Sequence, residues 1–359
     1  MAPMSADEVR EAGRLRRQSP PVVTKPLTQS PEVSKGAVLV TGGAGFVGAH
    51  LALALTRRGR RVVVYDLAPA LPTFLRFAAA AGSIVHHRSD TTDPGQLVAA
   101  LVGEGVTQVV HTASLLAEPE SLLNPRRFLR VNAEAVWQLC DIARSLPGIG
   151  RIVTVSTRSV YGSYAPEEGP ISEDFAPRPV AFYGASKAAA DLVLGIYRQQ
   201  LGLDVAAARI TGVYGPFQNY PHPLSEMVDA AVSGREFRMA AGGDYLYEFT
   251  YIKDVVAGLL ALLDAERLSH AIYNLGGGVQ SPLSEVAAAV RRAVPGAIVE
   301  IGPGQPAGAA PRAALSVERM AGELGFRTSW SLEAGVAEHV QWRRDGSYGG
   351  PVERGPQGI

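Results

Sequence analysis

The amino-acid sequence predicts an α/β fold in which helices cover both faces of a parallel β-sheet. Short apolar segments rich in β-branched residues alternate with longer helical segments up to about residue 211, which is typical of a doubly wound sheet. A glycine-rich turn joins the first predicted strand to a helix, and the next strand ends in an acidic residue. We predict strands at residues 38–41, 62–66, 84–87, 106–111, 151–156 and 205–210.

Helices are predicted between and after these strands. The first helix covers residues 50–58, with Gly59 as its end, and two longer helices cover 121–145 and 182–201. Beyond residue 211 the alternation loosens into a proline-rich loop at 216–223 and a helix at 224–233. The later part of the chain therefore predicts a smaller lobe rather than a continuation of the sheet.

The glycine-rich turn is Gly42-Gly-Ala-Gly45-Phe46-Val47-Gly48. In such a turn the first glycine permits a tight bend, the middle one lets the backbone approach a pyrophosphate, and the last one lets helix and strand pack closely. The N-terminus of the following helix offers free N–H groups to phosphate. Because a strand precedes the turn and a helix follows it, the pattern predicts a Rossmann-type dinucleotide site.

The acid at the end of the second strand is Asp66, 18 residues after Gly48. A carboxylate there accepts hydrogen bonds from the ribose hydroxyls of NAD and repels the 2′-phosphate of NADP. Leu67 and Ala68 supply no arginine for that phosphate. We predict NAD as the cofactor, the alternative being that Asp66 only closes its strand.

These motifs divide the chain. Residues 36–211 are predicted to form the NAD-binding core, to which segments around 249–275 return, and 212–344 are predicted to form mainly a substrate-binding lobe. Residues 1–35, rich in Pro, Ser and Thr, and residues 345–359, rich in Gly and Pro, are expected to be mobile extensions.

Composition excludes several classes of partner. The 34 basic and 34 acidic residues balance, which argues against nucleic acid or an anionic membrane as a partner. No apolar run reaches the roughly 18 residues of a membrane span. Cys140 is the single cysteine, so a reducing cytoplasm is expected, and the seven histidines show no ligand spacing, so no metal site is predicted.

Tyr183 and Lys187 lie four residues apart at the start of the predicted helix 182–201. Residues i and i+4 share one face of a helix, so the phenol and the ammonium can meet. A phenol titrates near pH ~10, and a neighbouring cation favours the phenolate. The pair predicts a proton acceptor, the alternative being a chance pair on a solvated face.

With these motifs in order, the chain resembles the extended short-chain dehydrogenase/reductases of the NAD-dependent epimerase/dehydratase type over about residues 36–344. Segments 41–48, 111–114, 130–132 and 156–162 carry the resemblance together with Tyr183 and Lys187. It implies that Asp90 lies beside the adenine, that the segment from His111 passes beneath the nicotinamide ribose, and that Asn132 supports the active-site helix. The cofactor-binding residues that the turn, Asp66 and the resemblance indicate are Gly42, Gly45, Phe46, Val47, Gly48, Asp66, Asp90, His111, Ala113, Asn132, Tyr183 and Lys187.

The resemblance also implies the catalytic residues Thr157, Tyr183 and Lys187. Lys187 would hold the nicotinamide ribose, Tyr183 would take the proton of a substrate hydroxyl as hydride leaves for NAD, and Thr157 would hydrogen-bond the same oxygen. Ser156 is the alternative to Thr157, since a hydroxyl at a strand end often just satisfies backbone groups.

The chain departs from this family's motifs at the substrate. Arg158 and Ser159 stand where 4,6-dehydratases carry Asp-Glu, and the Glu of decarboxylating relatives is also missing, so dehydration lacks its acid and both reactions rank lower. Gly212 stands where an Asn usually contacts the substrate, and Tyr247 where an Arg binds a diphosphate. Arg235 and Arg238 are candidates to replace that Arg, the alternative being solvated surface. The candidate substrate-binding residues are Ser114, Arg158, Ser159, Thr211, Gly212, Gln218 and Tyr247.

The preferred interpretation is a redox epimerase of a sugar or nucleotide sugar that works through a keto intermediate. The alternative is a net dehydrogenase of a free sugar, polyol or hydroxy-acid that releases NADH, and an inactive NAD-binding regulatory protein ranks third. The resemblance further implies a homodimer that pairs helices 121–145 and 182–201. Leu192, Val193, Ile196 and Tyr197 suit that contact or, alternatively, the core of the subunit.

Overall fold

A computed structural model describes residues 36–116, 118–309 and 312–345. The predicted extension 1–35 and, except for Asp345, the predicted extension 345–359 lie outside the described residues. Among the described residues, no helix has both the length and the apolar character needed to cross a membrane.

The centre of the molecule is a seven-stranded parallel sheet. The strands, in chain order, are β1 (Ala37–Thr41), β2 (Val62–Asp66), β3 (Ile84–Arg88), β4 (Val106–His111), β5 (Ile152–Thr157), β6 (Val205–Ile210), β7 (Gly212–Tyr214), β8 (Phe237–Met239), β9 (Leu246–Tyr247), β10 (Phe249–Tyr251), β11 (Ile272–Leu275), β12 (Ser281–Pro282) and β13 (Val299–Ile301). The order across the sheet is β11-β6-β5-β4-β1-β2-β3, so the winding reverses between β1 and β4. In such sheets ligands bind at the carboxyl ends of the strands beside this reversal.

Helices cover both faces of the sheet. They are α1 (Phe46–Arg57), α2 (Thr73–Ala80), α3 (Pro94–Gly103), α4 (Glu118–Leu123), α5 (Pro125–Leu129), α6 (Ala135–Ser145), α7 (Phe182–Leu201), α8 (Pro223–Val232), α9 (Ile252–Asp264), α10 (Leu283–Ala293), α11 (Glu318–Leu324) and α12 (Leu332–Arg344). A π-helical turn covers Arg130–Glu134, and 3₁₀ turns cover Arg158–Val160 and Pro166–Glu168.

Successive side chains of each strand point to opposite faces of the sheet, so a separate hydrophobic core forms on each face. Val38 and Val40 of β1 join the core beneath α1 and α9, whereas Ala37 and Leu39 join the core beneath α3, α6 and α7. All four side chains are buried, as expected for a strand covered on both faces. Cys140 lies in the second core, and burial raises the pKa of its thiol to about 12. The α/β prediction is thereby confirmed.

Helix boundaries depart from the predictions in two places. Helix α1 begins at Phe46, not at residue 50, because Gly45 is its N-cap and the glycine turn runs directly into it. The single helix predicted at 121–145 is wrong, since the chain breaks at Asn124, whose side chain accepts a hydrogen bond from the backbone N–H of Arg127 (3.3 Å), and then passes through the π-helical turn. By contrast, α7 spans the predicted residues and ends at Gly202, whose φ of 67° suits a helix terminus.

The later part of the chain contributes to both the sheet and the lobe. Strand β11 pairs with β6 at the edge of the main sheet, and α9 packs against α1. The lobe is held by three short strand pairs, β7 with β10, β8 with β13 and β9 with β12, and by the packing of α8, α10 and α12.

Two buried histidines predict how stability depends on pH. Burial lowers the pKa of His111 and of His339 from 6.5 to about 3, and neither ring nitrogen of His339 has a partner among the described residues. Below pH 6.5 the unfolded chain binds protons that the folded protein excludes, so stability is lost as pH falls through this window. Each histidine contributes about 1.4 kcal/mol per pH unit.

Urea unfolding measured from about pH 7 to about pH 5 should therefore show a falling free energy of unfolding. A His339→Leu variant should show a slope smaller by one histidine's share, since the leucine cannot titrate. Equal slopes for the two proteins would contradict the assignment.

Candidate active site

A cleft of about 790 Å³ opens at the carboxyl ends of the strands. It is lined by the glycine turn and the ends of β2 and β3, by residues of β5 and α7, and by segments that follow β6. This is the position that the reversal of the strand order predicts for a ligand.

The glycine turn is shaped to hold a phosphate close to the backbone. Gly42 has φ +64°, and a Cβ added there would lie 2.6 Å from the backbone nitrogen of Ala113. A Cβ at Gly48 would collide with the carbonyl oxygen of Gly42. The start of α1, including Gly45, Phe46 and Val47, lines the cleft, so its N-terminal N–H groups are available to an anion.

Asp66 and Asp90 line the same end of the cleft. One carboxylate oxygen of Asp66 accepts from the backbone N–H of Ala44 (3.0 Å) and the other from that of Ala68 (2.9 Å), which fixes the carboxylate at the end of β2. Each carboxylate oxygen can accept a further bond, so a ribose diol has acceptors there. The glycine turn and Asp66 together fit a dinucleotide without a 2′-phosphate.

An Asp66→Ala variant should bind NAD about 10- to 100-fold more weakly, because hydrogen bonds to a charged group contribute about 1.5–3 kcal/mol. Its preference for NAD over NADP should also shrink, since the carboxylate that repels the 2′-phosphate is gone. Fluorescence titration with both dinucleotides measures this. Asp141→Ala, which removes an exposed aspartate on α6, is the matched control and should leave both affinities unchanged.

The groups suited to proton transfer come from β5 and α7. Thr157 ends β5, and Tyr183 and Lys187 lie in the first two turns of α7; all three line the cleft. Gly184 allows this close approach, because a Cβ there would lie 2.5 Å from the carbonyl oxygen of Ser159. The structure therefore brings the three predicted catalytic residues to one cavity.

Lys187 is buried and held by the strand beside it. Its Nζ donates to the carbonyl oxygen of Val155 (2.9 Å), and burial lowers the pKa of the ammonium to about 8, while Asp191 acts in the opposite direction. At neutral pH Lys187 therefore keeps most of its positive charge in a position fixed by β5.

The two candidate hydroxyls differ in their partners. Ser156 Oγ donates to Asp191 Oδ2 (2.9 Å), which also accepts from Arg209 Nε (2.9 Å). Thr157 Oγ1 instead accepts from the backbone N–H of Ser159 (3.2 Å), so its own proton is available to a ligand oxygen. This arrangement favours Thr157 over Ser156 as the hydroxyl that meets a substrate.

Two residues expected to bind the cofactor do not line the cleft. His111 is buried at the end of β4, where its Nδ1 lies 2.9 Å from Thr41 Oγ1, because these strand partners point into the same layer. The cleft is lined instead by the three residues that follow His111, including the predicted Ala113 and Ser114. The second predicted cofactor-binding residue that does not line the cleft is Asn132.

Asn132 is a brace between three segments. From the π-helical turn its Oδ1 accepts from Ser114 Oγ (3.1 Å) and from the backbone N–H of Leu115 (2.9 Å). Its Nδ2 donates to the carbonyl oxygen of Leu115 (3.1 Å) and to Ser186 Oγ (3.0 Å) on α7. Asn132 thus holds the cleft wall against α7, in agreement with the expected support of that helix.

Most predicted substrate-binding residues reach the other end of the cleft. The lining residues among them are Ser114, Arg158, Ser159, Thr211, Gly212 and Tyr247. Gln218 is the exception, since its side chain is buried and its Nε2 donates to the carbonyl oxygen of Tyr220 (3.4 Å). Phe217 just before it has φ 66°, which turns the chain so that residues 219–223 face the cleft instead.

Tyr220 and His222 line the cleft, as predicted for the segment 218–224, and so does Thr112 in the segment after His111. The sequence patterns missed the lining residues Glu248 and Arg312. Glu248 is buried and accepts from the backbone N–H groups of Gly278 (3.0 Å) and Leu315 (2.9 Å). Arg158 donates to the carbonyl oxygen of Ala313 (2.8 Å) and lies near Arg312. Two guanidinium groups therefore lie at the lobe end of the cleft.

The arginines proposed to replace the one missing at Tyr247 lie elsewhere. Arg235 Nε donates to Ser233 Oγ (2.9 Å), and Arg238 pairs with Glu236 (2.8 Å) and Glu300 on the surface. Neither lines the cleft, which favours the alternative that both arginines are solvated surface residues. Arg312 stands alone among small residues in the sequence, and this isolated charge was the available signal for a cleft-lining arginine.

Fold and site together define the class of protein. The glycine turn, Asp66 and the group Thr157–Tyr183–Lys187 in one cleft are the features of an extended short-chain dehydrogenase/reductase. Residues 38–276 match the model of the NAD dependent epimerase/dehydratase family, and the chain belongs to that family. NAD is the cofactor of the family, and the residues described above fit it.

Similar proteins of known activity fall into more than one reaction class. A dTDP-glucose 4,6-dehydratase of Streptomyces antibioticus is 30% identical over 335 residues, which cover 89% of this chain and 96% of that protein. UDP-glucuronate 4-epimerase 4 of Arabidopsis thaliana is 28% identical over 327 residues, covering 85% of this chain and 74% of that protein. The structure of MoeE5 in complex with UDP-glucuronic acid and NAD matches with a TM-score of 0.75 at 30% identity, covering 86% of this chain and 99% of that one.

Proposed function

We propose that this protein is an NAD-dependent epimerase that inverts a hydroxyl-bearing carbon of a nucleotide sugar through a transient keto intermediate. The observation that carries the proposal is the identity of the residues that follow Thr157 in the cleft, Arg158 and Ser159. Elimination of water needs an acid to protonate the leaving hydroxyl, a contribution of about 10²–10⁴-fold. Glu248 also lines the cleft, and its two carboxylate oxygens accept from the backbone N–H groups of Gly278 and Leu315.

The chemistry divides between cofactor and protein. Bound NAD supplies the acceptor, and later the donor, of the hydride. Tyr183 accepts the proton of the substrate hydroxyl and returns it, while Thr157 donates a hydrogen bond to the same oxygen. The fixed charge of Lys187 favours the phenolate form of Tyr183.

Epimerisation also requires a fixed anchor away from the reacting carbon, because the sugar must present its other face before hydride returns. We assign the anchor to Arg312, whose guanidinium group lines the cleft and suits the diphosphate of a nucleotide sugar. Among residues 36–116, 118–309 and 312–345, Arg312 has no carboxylate partner. Its charge is therefore available to a ligand.

The test incubates the protein with NAD and a panel of UDP-sugars, dTDP-sugars and free sugars, with product NMR and absorbance of NADH. We expect a changed stereocentre in a nucleotide sugar without net NADH. A 4-keto-6-deoxy product would identify a dehydratase instead. Turnover of no sugar, with NAD still bound, would favour the inactive regulatory protein.

A second candidate, net dehydrogenation of a free sugar, polyol or hydroxy-acid, is favoured by Gly212 and Tyr247. A substrate without a diphosphate needs neither an Asn at position 212 nor an Arg at 247, and the chain has neither. Stoichiometric NADH from a free substrate in the same panel would establish this candidate and exclude the epimerase.

We also propose a homodimer in the cytoplasm, formed through α7 and the segment before α6. Leu192 and Ile196 on α7 are 62% and 52% exposed, and Leu122 and Leu123 on α4 are more exposed still. Tyr197 instead donates to the carbonyl oxygen of Trp137 (3.3 Å) within the subunit. A Leu192→Glu/Ile196→Glu variant should sediment as a monomer, whereas a wild-type monomer would contradict the dimer.

A further inference from the structure

The inference concerns an imidazole that lies where a side chain at position 212 would otherwise be. Gly212 opens β7 at the lobe end of the cleft, and His222 precedes α8 across from it. A Cβ added to Gly212 would lie 3.2 Å from His222 Nε2 and 3.7 Å from its Cε1. The ring of His222 therefore occupies the space that the missing side chain leaves.

Aromatic rings and a rigid backbone hold this imidazole in place. The ring lies edge-on to Phe249 (centroids 4.9 Å apart), to Tyr247 (5.8 Å) and to Tyr220 (6.4 Å). His222 also stands between Pro221 and Pro223, and its carbonyl oxygen accepts from the backbone N–H of Glu226 (3.0 Å). The side chain is thus positioned without a hydrogen bond between its ring and another described residue.

One ring nitrogen lies on the cleft side. Nε2 is the ring atom closest to Gly212, and both residues line the cleft, whereas Nδ1 is buried and has no hydrogen-bond partner among the described residues. Burial lowers the pKa of His222 to about 4, so the ring is neutral at neutral pH and offers one N–H donor and one acceptor nitrogen. A sugar hydroxyl can donate to Nε2 or accept from it, whichever tautomer is present, whereas a phosphate would be better served by a cation.

We propose that His222 binds a hydroxyl group of the sugar, and that it does so from the space left by Gly212. The inference rests on the proposed function, since it takes a nucleotide sugar as the ligand. The new element is that selection among sugars depends on His222, while Arg312 holds the diphosphate whatever sugar is attached.

The first test separates the sugar from the nucleotide. In a Tyr183→Phe background, where turnover is about 10²–10⁴-fold slower, calorimetry with NAD present would measure binding of UDP-glucose, UDP-glucuronic acid, dTDP-glucose and the parent nucleoside diphosphates. Adding His222→Ala should weaken sugar-nucleotide binding on the order of 10-fold and leave the nucleoside diphosphates unchanged. His270→Ala, an exposed histidine outside the cleft, is the matched control and should change neither.

Equal affinities with and without His222→Ala, or an equal loss for sugar nucleotides and nucleoside diphosphates, would overturn the assignment. If the parent with His222 intact binds no member of the panel, the proposed function itself fails and the inference fails with it. These two failures are distinguished by the parent protein alone.

A double-mutant cycle tests directly whether positions 212 and 222 are coupled. Gly212→Ala should weaken sugar-nucleotide binding because the new methyl displaces the ring, and the same change should cost less once His222→Ala has emptied the space. Gly212→Asn in the His222→Ala background should recover part of the lost affinity, because the carboxamide supplies a donor and an acceptor there. Additive effects of Gly212→Ala and His222→Ala would show that the two positions are not coupled.

Discussion

A Tyr183→Phe variant should lose activity by about 10²–10⁴-fold, the usual contribution of a positioned proton acceptor. The phenylalanine keeps the ring at the start of α7 and removes only the oxygen, so the affinity for NAD and the thermal midpoint should stay close to wild type. Single-turnover formation of the keto intermediate and titration with NAD measure the two quantities separately.

Tyr164→Phe is the matched control for this experiment. The hydroxyl of Tyr164 donates to the carbonyl oxygen of Ala176 (3.0 Å), and the residue does not line the cleft. Its activity should remain near wild type. Full activity of Tyr183→Phe would remove the central residue from the proposed mechanism.

The largest loss of stability is expected from Asp191→Ala. Asp191 and Arg209 form a salt bridge of 2.9 Å whose side chains are 2% and 4% exposed. Removing one partner leaves a buried charge uncompensated, which costs about 3–5 kcal/mol of unfolding free energy. Equilibrium unfolding in urea measures this loss.

Two comparisons separate the buried charge from other effects of the substitution. Asp141→Ala breaks the exposed pair with Arg144, whose distance is also 2.9 Å, and should cost less than about 1 kcal/mol. Asp191→Leu combined with Arg209→Met removes both charges and should be more stable than Asp191→Ala. Similar losses in Asp141→Ala and Asp191→Ala would contradict the account.

Local signals in the sequence predicted the sheet and helix α7. The strands are apolar because they are buried on both faces, and the end of α7 is marked by a glycine. The helix at 121–145 was mispredicted for two different reasons. Asn124 and Pro125 are a local stop signal that the apolar pattern outweighed. The π-helical turn instead depends on contacts with α7, such as the hydrogen bond from Asn132 to Ser186, which no local pattern reports.

The site, too, combines residues that local signals predict with residues that depend on contacts between distant segments. The glycine turn, Asp66 and the pair Tyr183–Lys187 are close in sequence to the elements that position them, so their place in the cleft could be predicted. Motif resemblance located the segment at His111 but not which side chains face the cleft, because strand register decides that. Arg312 meets the cleft only through the folding of a distant segment, and Gln218 is turned away by the backbone at Phe217.

The hydrogen bond from Lys187 to Val155 ties α7 to the strand that carries Thr157. The groups proposed for proton transfer therefore form one rigid unit, while Gly212, His222, Tyr247 and Arg312 belong to short strands and connections around it. In evolution, or in the laboratory, substitutions in those connections can change which sugar is accepted without disturbing the proton relay. A library restricted to them would explore new substrates on an unchanged chemical step.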